Sequence, residues 1–339
     1  MVLNGNAKNV TREIVDFLDQ LVLGGDLFVS RSLDEGVEIA RTIVFRGYGT
    51  VLTGGGDGTF VHMVTHVVKE ARAAGVRAPR VGFLRLGTGN ALAWVVGAQA
   101  PRKGRGVAAD IARLRQDAGF RPMRLLEVDG ALTPFAGVGI DATVLHQYNR
   151  TKKLLQRTPL KRFAAGALGY TLAISTQTLP GYLFARVPRV KVVNVGAPAL
   201  RLGVDGRLVG APVREGETIF EGVAKMVACA TIPTYGFGFR IFPFAEERPD
   251  RMHLRVVNMS PLSVPQNIVK IWKGTYRDAD TVIDVLVDKV RVTTEAPVPF
   301  QIGGDPCGER SDVTFVLSEE PIELVDFYAP SPLHHEDSP

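Results

Sequence analysis

The segment V-L-T-G-G-G-D-G-T-F, residues 51–60, constrains the fold of this chain more than any other stretch. Residues that favour strands run directly into four glycines within five positions, and apolar residues at helical spacing follow from Phe60. Glycines allow positive φ and a close approach of the backbone to a ligand. The amides of a first helical turn, at the positive end of the helix dipole, favour a phosphate. The segment therefore predicts a strand, a phosphate-binding turn and a helix.

Asp57 is the single carboxylate in this turn. It would repel a phosphate unless it held a metal ion or accepted a proton from a reacting hydroxyl. The ordinary alternative is that Asp57 caps the helix, a common role for aspartate. The turn lacks the G-K-[ST] of a Walker loop and the final small residue of the dinucleotide fingerprint. These two nucleotide-binding classes are therefore not indicated.

A second glycine turn, L-R-L-G-T-G-N at residues 84–90, also follows a strand and precedes a helix. Turns at the carboxyl ends of neighbouring strands in an open sheet face one crevice, where ligands bind. Thr88 and Asn90 can hydrogen-bond a phosphate or a ribose without adding charge. The loop N-G-N-A-K at residues 4–8 is a third candidate, although an ordinary polar turn would have the same composition.

The chain of 339 residues is long enough for two domains. Its first third alternates apolar runs with helical periodicity, which predicts strand–helix–strand units and a mainly parallel sheet. The predicted strands are residues 1–3, 27–29, 50–52 and 81–84, and the predicted helices are residues 10–22, 33–45, a helix after the first glycine turn, 92–96 and 107–115. After about residue 124, antiparallel strands are predicted within residues 125–145, 187–209, 219–231, 251–258 and 281–295, with one helix near residues 162–176.

Cysteine content and apolar patterning suggest a cytoplasmic protein. Cys229 and Cys307 are the only cysteines and are far apart, so a disulfide framework or a zinc site is not expected. No run of eighteen apolar residues and no export signal occurs.

The segment R-T-K-K-L-L-Q-R-T-P-L-K-R-F, residues 150–163, holds six cations and no carboxylate. It is either a solvated basic face or a surface that meets anionic lipid headgroups while its leucines enter the membrane. Nucleic acid is not an expected partner, because cations do not alternate with aromatic residues along a strand face.

Together these motifs resemble the diacylglycerol kinase catalytic-domain superfamily, which includes bacterial lipid kinases, sphingosine kinases and ceramide kinases. Residues 55–59 match its G-G-D-G-T, and residues 87–90 match its G-T-x-N. Residues 4–8 stand where the family has a variable nucleotide loop. Residues 137–144, G-V-G-I-D-A-T-V, resemble the G-x-G-F-D-A that opens its second domain, and residues 243–256 resemble its P-x-A…D-G-x-L-D-V segment.

The resemblance implies an α/β protein with an N-terminal Rossmann-like nucleotide domain, residues 1–124, followed by a C-terminal β-sandwich, residues 125–316. Residues 317–328 would return to the first domain, and residues 329–339 would form a disordered tail. The implied activity is that of an ATP- and Mg²⁺-dependent lipid kinase. It would phosphorylate a hydroxyl of a membrane lipid, which is diacylglycerol-like in the first instance, with sphingoid and other lipid alcohols as alternatives.

The same resemblance implies the site residues. ATP would contact Asn4, Ser30, Gly54, Gly55, Gly56, Asp57, Gly58, Thr59, Gly87, Thr88 and Asn90. Asp305 would accept the proton of the substrate hydroxyl, and Asp57 would organise the phosphate–metal centre. Asp250 would bind a structural Mg²⁺ with the main-chain carbonyls of Glu247 and Met252. The enzyme would attach peripherally to anionic membrane through Arg150, Lys152, Lys153, Arg157, Lys161 and Arg162, and a homodimer is compatible with this organisation.

Two departures from the family pattern keep alternatives open. The family carries D-G-E where this chain has Gly303-Gly304-Asp305, and many relatives have N-D where this chain has Asn90-Ala91. A nucleotide- or lipid-binding regulatory protein with impaired catalysis is therefore one alternative. A soluble-substrate kinase similar to NAD kinases is another, against which the G-T-G-N loop and the basic segment count.

Overall fold

A computed structural model describes residues 1–116, 118–139, 187–260 and 263–330. Contacts divide the chain into two compact units. Unit 1 comprises residues 1–125, 130–132 and 318–339, and unit 2 comprises residues 126–129 and 133–317. The basic segment at 150–163, the predicted helix near 162–176 and most of the predicted tail lie outside the described residues. Across the described part of the chain, every helix is too short or too polar to span a bilayer.

The helices are α1 (Arg12–Asp19), α2 (Leu33–Phe45), α3 (Asp57–Ala73), α4 (Ala91–Val96), α5 (Arg105–Arg115) and α6 (Ser263–Lys273). The strands are β1 (Val2–Asn4), β2 (Phe28–Ser30), β3 (Thr50–Gly55), β4 (Arg80–Arg85), β5 (Ala118–Met123), β6 (Leu126–Val128), β7 (Ala131–Thr133), β8 (Phe135–Gly139), β9 (Arg189–Asn194), β10 (Leu200–Leu202), β11 (Thr218–Val223), β12 (Met226–Ala230), β13 (Met252–Val257), β14 (Val282–Val287), β15 (Lys289–Ile302), β16 (Asp305–Leu317) and β17 (Ile322–Pro330).

Unit 1 is built on a sheet with the strand order β2-β1-β3-β4-β17-β5. Strands β1 to β4 pair in parallel, because a helix follows each of them and carries the chain back across the sheet. Strand β17, from the end of the chain, pairs in parallel with β4 and antiparallel with β5. The sequence-based division placed residues 317–328 in this domain.

Apolar residues at helical spacing on α2 and α3 pack on the first strands. Ala40 and Ile43 of α2 and Met63 and Val67 of α3 are buried together against β1 and β3. The limits of α2 coincide with the predicted residues 33–45, whereas α1 is shorter than predicted. The predicted α/β fold class is confirmed for this unit.

Unit 2 is a large antiparallel sheet, as the strand-rich sequence after residue 124 predicts. Its strands follow the order β10-β14-β13-β12-β8-β15-β16-β6, and β9 pairs with both β11 and β15. Residues 137–139 of the predicted G-V-G-I-D-A-T-V motif end β8, and residues 140–144 lie outside the described residues.

Helix α6 was not predicted from the sequence. Its segment S-V-P-Q-N-I-V-K-I-W-K contains a proline and four β-branched apolar residues, which argue against a helix. The proline falls in the first turn, where a missing N–H costs no helical hydrogen bond. Val264 and Ile271, seven residues apart on one face, pack on a buried cluster of Met259, Tyr276 and Val282.

Candidate active site

Four adjacent parallel strands of unit 1 end at one edge of the sheet and place the motif loops side by side. In the register, Asn4 of β1 is opposite Ser30 of β2, and Gly55 of β3 is opposite Arg85 of β4. The loop at residues 4–8 and the two glycine turns all leave the sheet at this edge. Gly56, Gly58, Thr59 and Thr88 are half-exposed here, so part of the surface of each residue is accessible at this edge.

Asn4 connects the first loop to α3. Its Nδ2 donates to Thr59 Oγ1 over 2.9 Å, and its Oδ1 accepts from Asn6 N over 2.9 Å. Ser30 lies beside this loop, since its carbonyl accepts from Gly5 N over 2.8 Å. Its hydroxyl donates to Ser32 O over 2.7 Å. Asn4 therefore fixes the position of the Thr59 hydroxyl in the first turn of α3.

The two glycine turns are packed backbone against backbone. A Cβ on Gly87 would lie 2.6 Å from Gly56 N, and a Cβ on Gly55 would lie 2.7 Å from Thr59 Cβ. Both approaches are too close for any residue with a side chain. The expectation that the glycines serve positive φ is wrong, because Gly54, Gly55, Gly56, Gly58 and Gly87 all lie outside that region. Glycine is needed here because the two loops touch.

Asn90 does not present its side chain as the sequence suggested. Its backbone is left-handed, with φ of 51°, and its amide is only 4% exposed. Oδ1 accepts from Gly87 N over 3.1 Å, while Nδ2 donates to Gly87 O over 2.9 Å. The amide thus closes the second turn on itself, a local bond for which Asn is suited. Asn90 therefore shapes the loop, and its contact with a ligand stays a prediction.

Asn9 is a residue that the sequence analysis missed. Its Nδ2 donates to Gly87 O over 3.2 Å, and its amide N donates to Leu86 O over 3.3 Å. It therefore ties the segment after the first loop to the second glycine turn. Asn9 follows the loop at residues 4–8 directly. The only sequence feature that could have indicated its role is the repetition of Asn in this stretch.

Asp57 is the first residue of α3 and is buried. Its Oδ1 accepts from Leu92 N in the first turn of α4 over 3.4 Å. A carboxylate in a first helical turn is also favoured by the helix dipole. Asp57 therefore connects the first turn of α3 to the first turn of α4, the helices that follow the two glycine turns. This is in addition to any role toward a ligand.

Asp305 lies in unit 2, at a two-residue hairpin between β15 and β16. Ile302 is opposite Asp305, and the turn residues Gly303 and Gly304 have φ of 58° and 88°. Two positive φ values are what a type I′ turn requires, so this geometry favours glycine at 303, where the family has aspartate. The turn is held by Gly304 N, which donates to Gln301 Oε1 over 2.8 Å.

Asp305 keeps exposed surface at the hairpin, while neighbouring protein atoms exclude part of the water from around its carboxyl. Desolvation raises the pKa of Asp305 above its ordinary value. A carboxylate with a raised pKa is a stronger proton acceptor, which is the property expected of a general base.

The predicted structural Mg²⁺ site does not fit the side chains at Asp250. Arg248 Nε donates to Oδ1 over 3.0 Å, and Arg251 Nη1 donates to Oδ2 over 2.8 Å. These two guanidinium groups neutralise the carboxylate and would repel a dication. The arginine in the family's glycine position, Arg251, thus replaces the cation that Glu247 and Met252 were expected to help bind. Among the described residues, no group of three or more His, Cys, Asp and Glu side chains is placed to hold a metal ion.

Residues 3–120 match the family model of the diacylglycerol kinase catalytic domain. No curated protein sequence matches the chain. Three solved structures from Bacillus anthracis str. Sterne, all described as diacylglycerol kinases, share its fold. One is 15% identical, with a TM-score of 0.62, and the match covers 96% of this chain and 95% of that one. The others are 16% and 13% identical, with TM-scores of 0.60 and 0.57 and the same coverage.

These matches bear out the resemblance drawn from the motifs. The match at 3–120 contains the loop at residues 4–8 and both glycine turns, which meet at one sheet edge. By sequence, residues 3–120 match the diacylglycerol kinase catalytic domain, and the chain has the fold of the bacterial structures to which it is similar.

Proposed function

We propose that this protein is an ATP- and Mg²⁺-dependent lipid kinase that phosphorylates a hydroxyl of a membrane lipid, with a diacylglycerol-like acceptor as the first choice. The observation that carries the proposal is the start of α3, where Gly56 precedes the helix and packs against the second glycine turn. The kinase-family domain supports phosphoryl transfer as the reaction class.

The start of α3 differs from the starts of α1 and α2. Thr11 caps α1 by accepting from Ile14 N, and Ser32 caps α2 by accepting from Glu35 N over 3.1 Å. The cap of α3 is Gly56, which has no side chain to offer to the first-turn amides. Amides at a helix start that are left to a ligand suit a phosphate.

The residues around this helix start supply the remaining contacts for a triphosphate. The Thr59 hydroxyl, held by Asn4, and the Thr88 side chain are both half-exposed at the same edge. Transfer of a γ-phosphoryl group depends mainly on such positioning and on neutralising its oxygens. Bound Mg²⁺ would supply part of that neutralisation, and Asp57, the carboxylate in the first turn of α3, would hold it.

Asp305 is the proposed acceptor for the proton of the lipid hydroxyl. Its raised pKa supports this role, since a base works best with a pKa nearer to the operating pH. The basic segment at residues 150–162 is proposed to hold the enzyme at an anionic membrane, on the strength of its charge and its leucines.

One experiment tests the reaction class and the acceptor together. The protein is incubated with γ-labelled ATP, Mg²⁺ and a total lipid extract, and labelled products are identified. Label in a lipid fraction, lost in Asp57→Asn, supports the proposal. Lys69→Gln, an exposed change further along α3, is the matched control and should label lipid as the wild type does.

The regulatory alternative is favoured by Gly303, which removes one carboxylate of the family's D-G-E pattern. Saturable binding of ATP without transfer to any lipid would support it and overturn the kinase proposal. Transfer to NAD in place of lipid would identify the soluble-substrate alternative.

A further inference from the structure

We propose that the outer face of α6 docks on an anionic lipid surface. The inference deepens the proposed function and rests on it, because a kinase acting on a membrane lipid needs a surface that meets the membrane. The face is defined by Val269, Lys270, Trp272 and Lys273, with Arg240 beside its C-terminal end, and is called the α6 face below.

The α6 face exposes two large apolar side chains to solvent. Trp272 is 45% exposed and Val269 is 58% exposed, one turn apart on the helix. The opposite side of α6 packs on unit 2 through Val264 and Ile271. The helix is thus anchored by one face while the other presents apolar surface to solvent. Trp is suited to a membrane interface, where its ring lies among headgroups and acyl chains.

The charges around this face complement anionic headgroups. Residues 259–277 contain Lys270, Lys273 and Arg277 and no Asp or Glu. Arg240 is brought to the end of the helix, where its N donates to Trp272 O over 3.0 Å. The nearest carboxylate along the chain, that of Asp278, accepts from Thr281 Oγ1 over 2.9 Å. Exposed Trp among lysines is the pattern of an interfacial helix.

A comparable exposed aromatic in unit 1 lacks this setting. Phe45 ends α2 and is fully accessible, but α2 carries Asp34, Glu35 and Glu38 against one arginine. An acidic helix would be repelled by anionic lipid. Phe45 therefore provides a matched control for the removal of an exposed aromatic side chain.

The tryptophan content makes the proposal directly measurable. The chain has two tryptophans, Trp94 and Trp272. In a Trp94→Phe background, Trp272 is the sole tryptophan reporter. Its emission is recorded with vesicles of phosphatidylcholine alone and of phosphatidylcholine mixed with phosphatidylglycerol. We expect a shift to shorter wavelength and quenching by brominated lipid only with the anionic vesicles. In the reverse background, Trp272→Phe, Trp94 should report no change.

Charge and apolar contributions are separated by substitution in the full chain. Each lysine near an anionic surface contributes about a fivefold change in partitioning, so Lys270→Gln/Lys273→Gln should weaken vesicle binding about 30-fold. Trp272→Ala should weaken it roughly tenfold, and Phe45→Ala should leave it unchanged. Transfer to a water-soluble short-chain diacylglycerol should stay at the wild-type level in the α6 variants, which also shows that they are folded.

The two proposals can fail separately. Vesicle binding that is unaffected by the α6 variants, or a Trp272 emission that ignores anionic vesicles, would overturn the α6 docking surface even if lipid becomes labelled. Insertion of Trp272 in a protein that transfers phosphate to no lipid would overturn the proposed function and leave the docking surface in place.

Discussion

Gly87 approaches Gly56 so closely that a β-carbon on Gly87 would lie 2.6 Å from the Gly56 nitrogen. Two glycine turns on adjacent strands are thereby joined through their backbones. The position of one turn therefore constrains the position of the other through direct backbone contact.

Gly87→Ala should separate these turns. Accommodating the extra methyl group requires movement of backbone, and overpacking of this kind costs about 1–3 kcal/mol of unfolding free energy. The affinity for ATP should fall further than stability, because both turns move. Denaturant unfolding and ATP titration measure the two effects. Gly49→Ala, where a β-carbon meets open space, is the control. Unchanged ATP affinity in Gly87→Ala would contradict a shared site.

The Asn4–Thr59 hydrogen bond should couple the first loop to α3. A neutral hydrogen bond contributes about 0.5–1.5 kcal/mol, so a double-mutant cycle of Asn4→Ala and Thr59→Val should give a coupling energy in that range. The cycle is measured by denaturant unfolding without nucleotide. Thr59→Ser keeps the hydroxyl and should retain most of the coupling. Additive effects of the two changes would mean that the bond contributes nothing.

Asp305→Asn should lower kcat about 100-fold or more, with a small effect on the KM for ATP, because loss of a general base affects the chemical step. Burial raises the pKa of Asp305, so wild-type kcat should rise with pH through a pKa above that of an ordinary carboxyl. The variant should lose this limb of the pH profile. The raised pKa also means that this group stabilises the fold below that pKa and loses the contribution as pH rises. A wild-type profile in Asp305→Asn would place the base elsewhere.

The buried ion pair of Arg255 and Asp284 should dominate the stability of unit 2. Arg255 donates to both carboxylate oxygens, over 2.6 and 2.8 Å, and His253 Nε2 lies 2.8 Å from Oδ1. Arg255→Ala leaves a buried carboxylate and should cost about 3–5 kcal/mol of unfolding free energy. Denaturant unfolding at neutral pH measures it. Arg291→Ala breaks an exposed, solvent-screened pair with Asp312 and should leave the unfolding midpoint almost unchanged.

The same cluster predicts a loss of stability in acid. Burial lowers the pKa of His253 despite its contact with Asp284, so the unfolded chain binds the proton more readily as pH falls below the ordinary histidine value. Burial alone would raise the pKa of Asp284, but hydrogen bonds from Arg255 and His253 lower it. Its contribution is lost at still lower pH, as the ordinary carboxyl range is passed. Unfolding free energy should therefore decrease from neutral pH downward, and His253→Gln should flatten the first part of that decrease.

The sequence predicted the strand–helix order of unit 1 because its hydrophobic periodicity agrees with the positions of its turn and capping residues. Short apolar runs, capping residues such as Ser32 and glycine turns all indicate the same boundaries. It could not predict why Gly87 is glycine, because the reason is a contact with a residue 31 positions earlier. The bonds of Asn90 to Gly87 were not predicted either. They depend on a left-handed backbone at Asn90, which composition does not reveal.

The structure of unit 2 was harder to predict from the sequence, and the physical reason differs between Asp250 and α6. Asp250 looked like a metal ligand until its neighbours Arg248 and Arg251 proved to be folded back on it. Helix α6 was hidden by its β-branched residues, whose intrinsic preference is overridden by packing on Met259 and Tyr276. For α6 a tertiary contact overrides the local pattern, whereas at Asp250 the decisive contacts come from side chains one and two residues away.

Strand β17 has a consequence for how the chain acquires its structure. Its residues 322–330 lie between β4 and β5, so these two strands are not joined in the sheet until β17 has been synthesised. Most strands of unit 2, residues 133–317, precede it in translation and can pair while β4 still has a bare edge. A fragment ending near residue 125 would lack β17 and would leave the edge of β4 unpaired. An unpaired strand edge favours self-association. The sheet of unit 1 is therefore completed only after most strands of unit 2 have been made, although its first four strands precede them in the sequence.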